Sequence, residues 1–248
     1  MLLNDLRDYI ASLLELDRFR DYCPNGVQVE GRAEIRRIAS GVTASQLLLE
    51  SATAWNADAI LVHHGYFWRN EDAAVTGIKK RRIAHLLHHN VSLLAYHLPL
   101  DAHTELGNNA QLGQRLGFME HGRFGEQGIA CYGELTQAQT LAQLTQRIAH
   151  SLQRAPLVIG KGDPTIRRIA WCTGAAQGYF EAAIALGVDA FLTGEISEQN
   201  VHEAQETGVV FIAAGHHATE RYGVQALGTH LAEHCGIEHR YFELENPV

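Results

Sequence analysis

Apolar and polar positions follow two different periodicities along the chain. The short segments 59–62, 91–95 and 209–213 are uniformly apolar, a pattern typical of strands buried on both faces of a parallel sheet. Intervening segments, such as 45–55 and 177–186, place apolar residues every three or four positions and therefore predict helices. Strands that alternate with helices predict an α/β fold with mostly parallel sheets.

The chain contains an internal repeat. Residues 35–61 and 166–192 align without gaps at a constant shift of 131 positions, and 13 of the 27 aligned residues are identical. Each copy reads as strand, helix, strand, and the period is too long for a solenoid. The repeat predicts a duplicated pair of related α/β lobes, 1–124 and 125–248, with no inserted domain. The Gly-rich, polar stretch 117–133 is the predicted boundary.

Composition and charge narrow the class of protein. The net charge of −8 over 248 residues disfavours a nucleic-acid binder, and the basic run 79–82 is interpreted as a solvated helix face. No apolar run is long enough to span a membrane, and the mixed pattern of residues 1–20 predicts an amphipathic helix instead of a signal peptide. We therefore expect a cytoplasmic protein. The four cysteines are far apart, which favours reduced thiols in the core.

Metal-ligating residue types follow four of the predicted strands. The carboxyl ends of neighbouring parallel strands meet at one edge of a sheet, where ligands bind in α/β proteins. We therefore expect these side chains to form one polar site on which both lobes converge. The residues are His63 and His64 after the strand at 59–62, His97 and Asp101 after 91–95, Glu195 after 191–193, and His216 and Glu220 after 209–213.

Each of these signals has a simpler interpretation when taken alone. A His-His pair such as His63-His64 is more often structural or exposed, and Asp101 is in a position to cap a helix. His216 and Glu220 share one face if a helix begins there, but such pairs are common. The pair His88-His89 lies on a predicted helix and is interpreted as a surface feature. The four strand ends together favour a metal site.

The ligand types predict the metal chemistry. Imidazole with carboxylate favours Fe, Zn or Mn over Ca or Mg, and the lack of a nearby cysteine argues against a closed structural zinc site. Adjacent residues of a strand point to opposite faces, so His63 and His64 predict either two ions or a chain that turns at Gly65.

Several motifs together resemble one known family. They are the segments 22–31 (YCPNGVQVEG), 62–65 (VHHG), 97–103 (HLPLDAH), 107–109 (GNN), 193–195 (TGE) and 215–220 (GHHATE). In this order they resemble the Nif-three-like family, whose members are named GTP cyclohydrolase 1 type 2 homologs. The resemblance covers the chain from about residue 21 to its end, and it is closest to the short enterobacterial type.

The resemblance implies a fold, a metal site and an assembly. The implied fold is a pair of α/β lobes with two divalent ions in the cleft. The implied assembly is a toroidal homohexamer. The family's ligand positions fall on His63, His64, Asp101, His216 and Glu220.

The expected function is that of a metal-dependent hydrolase. The expected substrate is a nucleotide or another small molecule. If it is GTP, a metal-activated water would attack C8 of the purine and open the ring, and Glu195 or His97 would transfer the proton. Either residue has a simpler interpretation, as a partner that orients a ligand histidine or as a polar loop residue. Tyr66, Phe67 and Trp68 follow the histidine pair and are candidates for reading the base, although a buried aromatic cluster is the simpler interpretation. Two alternatives stay open: a two-metal phosphoesterase or nuclease, and a non-enzymatic metal-handling or scaffold protein.

Overall fold

A computed structural model of the chain describes all residues from Met1 to Val248. The residues form two compact units. The first contains residues 1–107 and 223–245, and the second contains residues 108–222 and 246–248. Both units combine a sheet with helices, which confirms the predicted α/β class. None of the helices is both long enough and apolar enough to cross a membrane.

Helices and strands alternate along most of the chain. The helices are α1 (Leu3–Leu13), α2 (Gln46–Ala54), α3 (Gly77–His89), α4 (Leu98–Ala102), α5 (Asn108–Arg115), α6 (Leu141–Leu152), α7 (Phe180–Ala185), α8 (Glu198–Thr207), α9 (His216–Thr219) and α10 (Arg221–Cys235). The strands are β1 (Gly26–Val29), β2 (Arg37–Thr43), β3 (Ala59–His64), β4 (Ser92–Ala95), β5 (Phe118–Phe124), β6 (Ala130–Thr140), β7 (Leu157–Ile159), β8 (Thr165–Trp171), β9 (Ala190–Thr193), β10 (Val210–Ala213) and β11 (Glu238–Tyr241).

The sheet of the first unit has the strand order β1-β4-β3-β2-β11. Every neighbouring pair is parallel except β1 with β4. Along β3, Ala59 and Leu61 pack into one apolar cluster with α1 and α10, whereas Ile60 and Val62 pack into another with α2 and α3. The uniformly apolar run 59–62 is therefore explained by burial of both sheet faces.

The sheet of the second unit has the order β5-β6-β8-β9-β10-β7. Only β8, β9 and β10 are parallel neighbours, because β5, β6 and β7 add antiparallel pairings that the sequence did not predict. The Gly-rich stretch 117–133, which the sequence analysis gives as the boundary between the lobes, is not a loop throughout. This stretch contains β5 and the start of β6, which form a hairpin whose apolar residues, such as Phe118 and Cys131, enter the core.

The compact units divide the chain at other positions than the predicted boundary between 124 and 125. The first unit also includes residues 223–245, because α10 and β11 pack within it. Val224, Leu227 and Leu231 of α10 lie in the same apolar cluster as Leu6 of α1, and β11 pairs in parallel with β2.

One aspartate at equivalent positions of the repeat explains much of its sequence. Asp58 Oδ2 accepts hydrogen bonds from the backbone N–H groups of Arg36 (2.8 Å) and Arg37 (2.9 Å), where the chain enters β2. Asp189, 131 positions later, accepts the equivalent two bonds from Arg167 and Arg168, the third and fourth residues of β8, both at 2.8 Å. Each carboxylate therefore ties the start of one strand to the start of its parallel neighbour.

We expect replacement of Asp58 by Ala to lower the free energy of unfolding by about 3 kcal/mol, because two charge-assisted hydrogen bonds from the backbone and the ion pair with Arg32 are lost at a buried position. Asp58→Asn keeps an acceptor oxygen, and we expect it to cost about 1 kcal/mol. Urea denaturation followed by circular dichroism measures the difference. Asp17→Ala, at an exposed position, is the control, and an Asp58→Ala variant as stable as this control would contradict the assigned role.

Candidate metal centre

Two histidines stand at the carboxyl end of β3, the central strand of the first unit. His63 is completely buried, and its Nδ1 lies 2.9 Å from the carbonyl oxygen of Tyr96. A carbonyl oxygen only accepts hydrogen bonds, so Nδ1 carries the proton of the neutral ring and Nε2 carries the lone pair. The Nε2 atom faces Asp101 Oδ1 at 3.4 Å. A lone pair that faces a carboxylate requires a cation or a proton beside it.

The rings of His63 and His64 converge, with centroids 4.6 Å apart. One ligating atom from each of His63, His64 and His97 lies within 4.8 Å of the other two. The predicted residues of the first unit, including Asp101, are therefore neighbours. His64 is the least buried residue of its strand, and its Nδ1 lies 3.2 Å from Thr43 Oγ1.

His97 is oriented by an aspartate that the sequence analysis missed. Its Nδ1 lies 2.7 Å from Asp21 Oδ1, and the backbone N–H of Leu98 donates to Asp21 Oδ2 at 2.9 Å. Burial raises the pKa of Asp21, but hydrogen bonds from His97 and Asn25 outweigh it and lower the pKa to about 2. Asp21 is therefore ionised and accepts from His97 Nδ1. Because 76 residues separate the two, no local sequence signal connects them.

Cys23 lies close enough to Asp21 and His97 to belong to the same group of polar side chains. Burial, together with the charge of Asp21, raises the pKa of Cys23 to about 12. The side chain is therefore a neutral thiol near pH 7, in keeping with the predicted reduced core thiol.

The second unit brings together its own predicted residues. His216 opens α9, and its Nε2 lies 3.0 Å from Glu220 Oε2, with Glu220 almost completely buried. On the other side of the ring, His216 Nδ1 lies 2.7 Å from Glu195 Oε1. Burial lowers the pKa of His216, but the hydrogen bonds to Glu220 and Glu195 outweigh it and raise the pKa to about 9. A divalent ion at Nε2 would replace the proton that Glu220 stabilises.

A glycine provides the space for this pair. Gly174 follows β8 with a φ of +70°, in the left-handed region that favours glycine. A Cβ atom at Gly174 would overlap Glu220 Oε1 and would lie 3.3 Å from His216 Nε2. The Gly174 N–H donates to Thr219 Oγ1 at 3.0 Å, which holds the backbone in place. The glycine thus leaves room for the carboxylate and whatever it binds.

The donor set fits divalent transition metals. Each unit offers an imidazole Nε2 opposed by a buried carboxylate oxygen, and in His63 and His216 the other ring nitrogen is bonded to an oxygen atom. Metal-binding histidines characteristically donate their second N–H to such an oxygen, which fixes the ring. Clusters of this composition bind Fe, Zn, Mn or Co.

Only one of the three aromatic residues after the histidine pair is placed to contact a ligand. Tyr66 is buried, and its hydroxyl donates to the Ala44 carbonyl at 2.9 Å. Phe67 packs against the apolar cluster that contains α2 and α3, and Lys79 Nζ lies over its ring at 5.3 Å. The half-buried ring of Trp68 lies beside His97 and His64, with centroid distances of 5.0 and 5.9 Å.

The α/β units and the clustered histidines and carboxylates define the class: an α/β protein whose units each carry candidate ligands for divalent metal ions. A family model described as Duf34/NIF3 (NGG1p interacting factor 3) matches residues 1–247. The chain belongs to this family, which confirms the resemblance drawn from the motifs.

Relatives and solved structures agree with this assignment. A Pseudomonas aeruginosa protein named GTP cyclohydrolase 1 type 2 homolog is 55% identical over 238 residues, which covers 95% of this chain and 94% of the relative. The solved structure of a protein called ybgI, of unknown function, is 44% identical with a TM-score of 0.97. The structure of TTHA1606 from Thermus thermophilus is 30% identical with a TM-score of 0.91. Both structural comparisons cover the whole of each chain.

The hydrogen bond from His216 to Glu195 generates a test. We expect Glu195→Ala to weaken binding of added Zn²⁺ about 10- to 100-fold, because His216 loses the group that orients it. Glu195→Gln retains an acceptor oxygen and is expected to lose less. Isothermal titration of the metal-stripped protein measures the affinity, with Glu206→Ala at an exposed position as the control. Equal affinities of the Ala variant and the control would refute this role.

Proposed function

We propose that the chain is a metal-dependent hydrolase that holds two divalent ions and opens the ring of a purine nucleotide. The five proposed ligands are His63, His64, Asp101, His216 and Glu220. The observation that carries the proposal is the pairing of a fixed imidazole Nε2 with a buried carboxylate in each unit, at 3.4 and 3.0 Å. Such pairs require a positive charge beside them.

The proposal gives Glu195 and His97 different tasks. Bound divalent ions supply Lewis acidity, which lowers the pKa of water to near neutrality. Glu195 accepts a hydrogen bond from His216 Nδ1, so we assign it the task of positioning that ring. The Nδ1–H of His97 donates a hydrogen bond to Asp21, so Nε2 carries the lone pair. We assign Nε2 the task of accepting and returning a proton. The ionised Asp21 also stabilises the imidazolium that forms.

An aromatic surface beside the histidines supports a planar substrate. It consists of Trp68 and Tyr22, whose rings lie 5.0 and 6.4 Å from the ring of His97. Tyr22 is 47% exposed. A purine base binds to such rings by stacking, and each stacked base is worth about 1–3 kcal/mol.

The surface is rigid because two loops are tied together. The Arg69 N–H donates to the Tyr22 carbonyl at 2.6 Å, and the Arg69 guanidinium lies over the Tyr22 ring. The Gln28 side chain bonds both the N–H and the carbonyl of Tyr66, at 2.6 and 3.0 Å. A preorganised surface loses little entropy when a ligand binds.

The name of the relatives, GTP cyclohydrolase 1 type 2 homolog, agrees with a purine nucleotide as substrate. The net charge of −8 disfavours the nuclease alternative. The homohexamer and the cytoplasmic location stay predictions.

A turnover assay tests the hydrolase. Metal-stripped protein is supplied with Fe²⁺, Zn²⁺ or Mn²⁺ and incubated with GTP or with phosphodiesters, and the products are separated by chromatography. We expect ring-opened GTP from the metal-loaded protein. His64→Ala and Glu220→Ala are expected to lose more than about 100-fold of the activity, since loss of a ligand costs more than loss of its outer partner.

The exposed His121 provides the control, and His121→Ala should retain full activity. Turnover that is equal in the wild type and both ligand variants would contradict the enzymatic proposal. Cleavage of phosphodiesters alone would favour the two-metal phosphoesterase. Metal binding and exchange without any turnover would favour a metal-handling protein.

Trp68 separates base recognition from catalysis. We expect Trp68→Ala to raise KM for GTP about 10-fold with kcat little changed, because one stacking contact is lost away from the reacting atoms. Trp55→Phe removes a tryptophan at the C-terminal end of α2 that packs edge-on against Phe242, and it should leave both constants unchanged. Steady-state kinetics measure both. An unchanged KM in Trp68→Ala would exclude stacking on this ring.

A further inference from the structure

Three histidines lie near the C-terminal end of α3. His85, His88 and His89 stand at positions i, i+3 and i+4, which lie on one face of a helix. The ring centroids of His85 and His89 are 4.2 Å apart, and those of His88 and His89 are 4.9 Å apart. His88 and His89 are exposed, and His85 is half-buried. None of the three belongs to the proposed ligand set, and the sequence analysis gave the His88-His89 pair no chemical role.

Hydrogen bonds fix which nitrogen of two rings carries the lone pair. His89 Nδ1 lies 2.9 Å from the backbone carbonyl of His85, so Nδ1 is protonated and Nε2 holds the lone pair. His85 Nε2 lies 3.1 Å from Thr53 Oγ1, whose own proton goes to the carbonyl of Leu49 or Glu50. The hydroxyl must then accept from His85 Nε2, which leaves the lone pair on His85 Nδ1.

The surroundings favour a bound cation over protonated rings. Burial, followed by the charges of His89 and His88, lowers the pKa of His85, so this ring is neutral near pH 7. Metals bind the neutral form of imidazole. The C-terminal end of a helix carries a partial negative charge that stabilises a cation. Arg32, which donates to the His89 carbonyl, is paired with Asp58 at 2.8 Å.

We propose that His85, His88 and His89 form a second, surface site for a divalent transition metal, with water completing the coordination. Imidazole ligands without carboxylates favour Cu²⁺, Ni²⁺ and Zn²⁺ over Mg²⁺ and Ca²⁺, and the general order of affinities places Cu²⁺ first. This site accepts ions directly from solution because two of its rings are exposed. It does not depend on the proposed hydrolase activity.

The helix α10 offers an internal comparison. His230 and His234 have the same i, i+4 spacing, with ring centroids 4.0 Å apart, and His234 Nδ1 bonds the His230 carbonyl at 2.9 Å. The i+3 position is Glu233 instead of a histidine, and His230 Nε2 already lies 2.7 Å from the Tyr9 hydroxyl. This pair therefore offers fewer nitrogen ligands than the three histidines of α3.

Retention of the untagged protein on a resin that carries chelated Cu²⁺ tests the site. An immobilised ion reaches only exposed ligands. The buried residues of the proposed hydrolase site, His63, Asp101 and Glu220, therefore do not contribute to retention on the resin. We expect the wild type to bind and to require imidazole for elution. The double variant His85→Gln/His89→Gln should elute at a lower imidazole concentration than the wild type, whereas the matched variant His230→Gln/His234→Gln should elute with the wild type.

Electron paramagnetic resonance of the protein with one equivalent of Cu²⁺ gives a second readout. The proposed hydrolase site is filled with Zn²⁺ before the Cu²⁺ is added, and we then expect nitrogen hyperfine splitting that is weakened in His85→Gln/His89→Gln. The loss of the contact between His85 and Thr53 could disturb folding of the first variant. The variant His88→Gln/His89→Gln changes exposed residues only and keeps this contact, so it tests the site independently. Retention of the α3 variants equal to that of the wild type, or a loss confined to the α10 variant, would overturn the proposal.

Discussion

The structure depends on two equivalent aspartates, one in each unit, that lie near the start of a pair of parallel strands. Asp58 and Asp189 each accept hydrogen bonds from two backbone N–H groups near the start of the neighbouring strand. Parallel strands have no tight turn to set their register, so a bond of this kind fixes where both strands begin and end. The strand ends, and the histidines and carboxylates that follow them, are then held by the sheet.

The duplicated units carry different chemistry on the same backbone. At the shift of 131 positions, His64 corresponds to Glu195 and Thr43 to Gly174. In the first unit Thr43 contacts His64, and in the second the glycine makes room for Glu220. One strand end thus presents an imidazole, whereas its equivalent presents a carboxylate that orients His216. Duplication followed by exchange of a few side chains accounts for a mixed set of nitrogen and oxygen donors.

Buried acceptors give the candidate centre its preference for cations. His63 and His216 present Nε2 to Asp101 and Glu220 in places that water hardly reaches. A carboxylate in such a place is stabilised only by a partner of opposite charge or by hydrogen bonds. In His216 a proton supplies that charge, which is why its pKa rises to about 9. The same electrostatics favour a divalent ion.

The sequence by itself determined the α/β class, the family and the grouping of histidines and carboxylates after strands, because buried parallel strands read as apolar runs and their ends carry the polar residues. It did not determine the hairpin of β5 and β6 or the return of α10 and β11 to the first unit, which depend on packing between distant segments. Only the tertiary structure identified Asp21 as the partner of His97. It also showed that the missing side chain of Gly174 leaves room for Glu220. Neither contact is local in the chain.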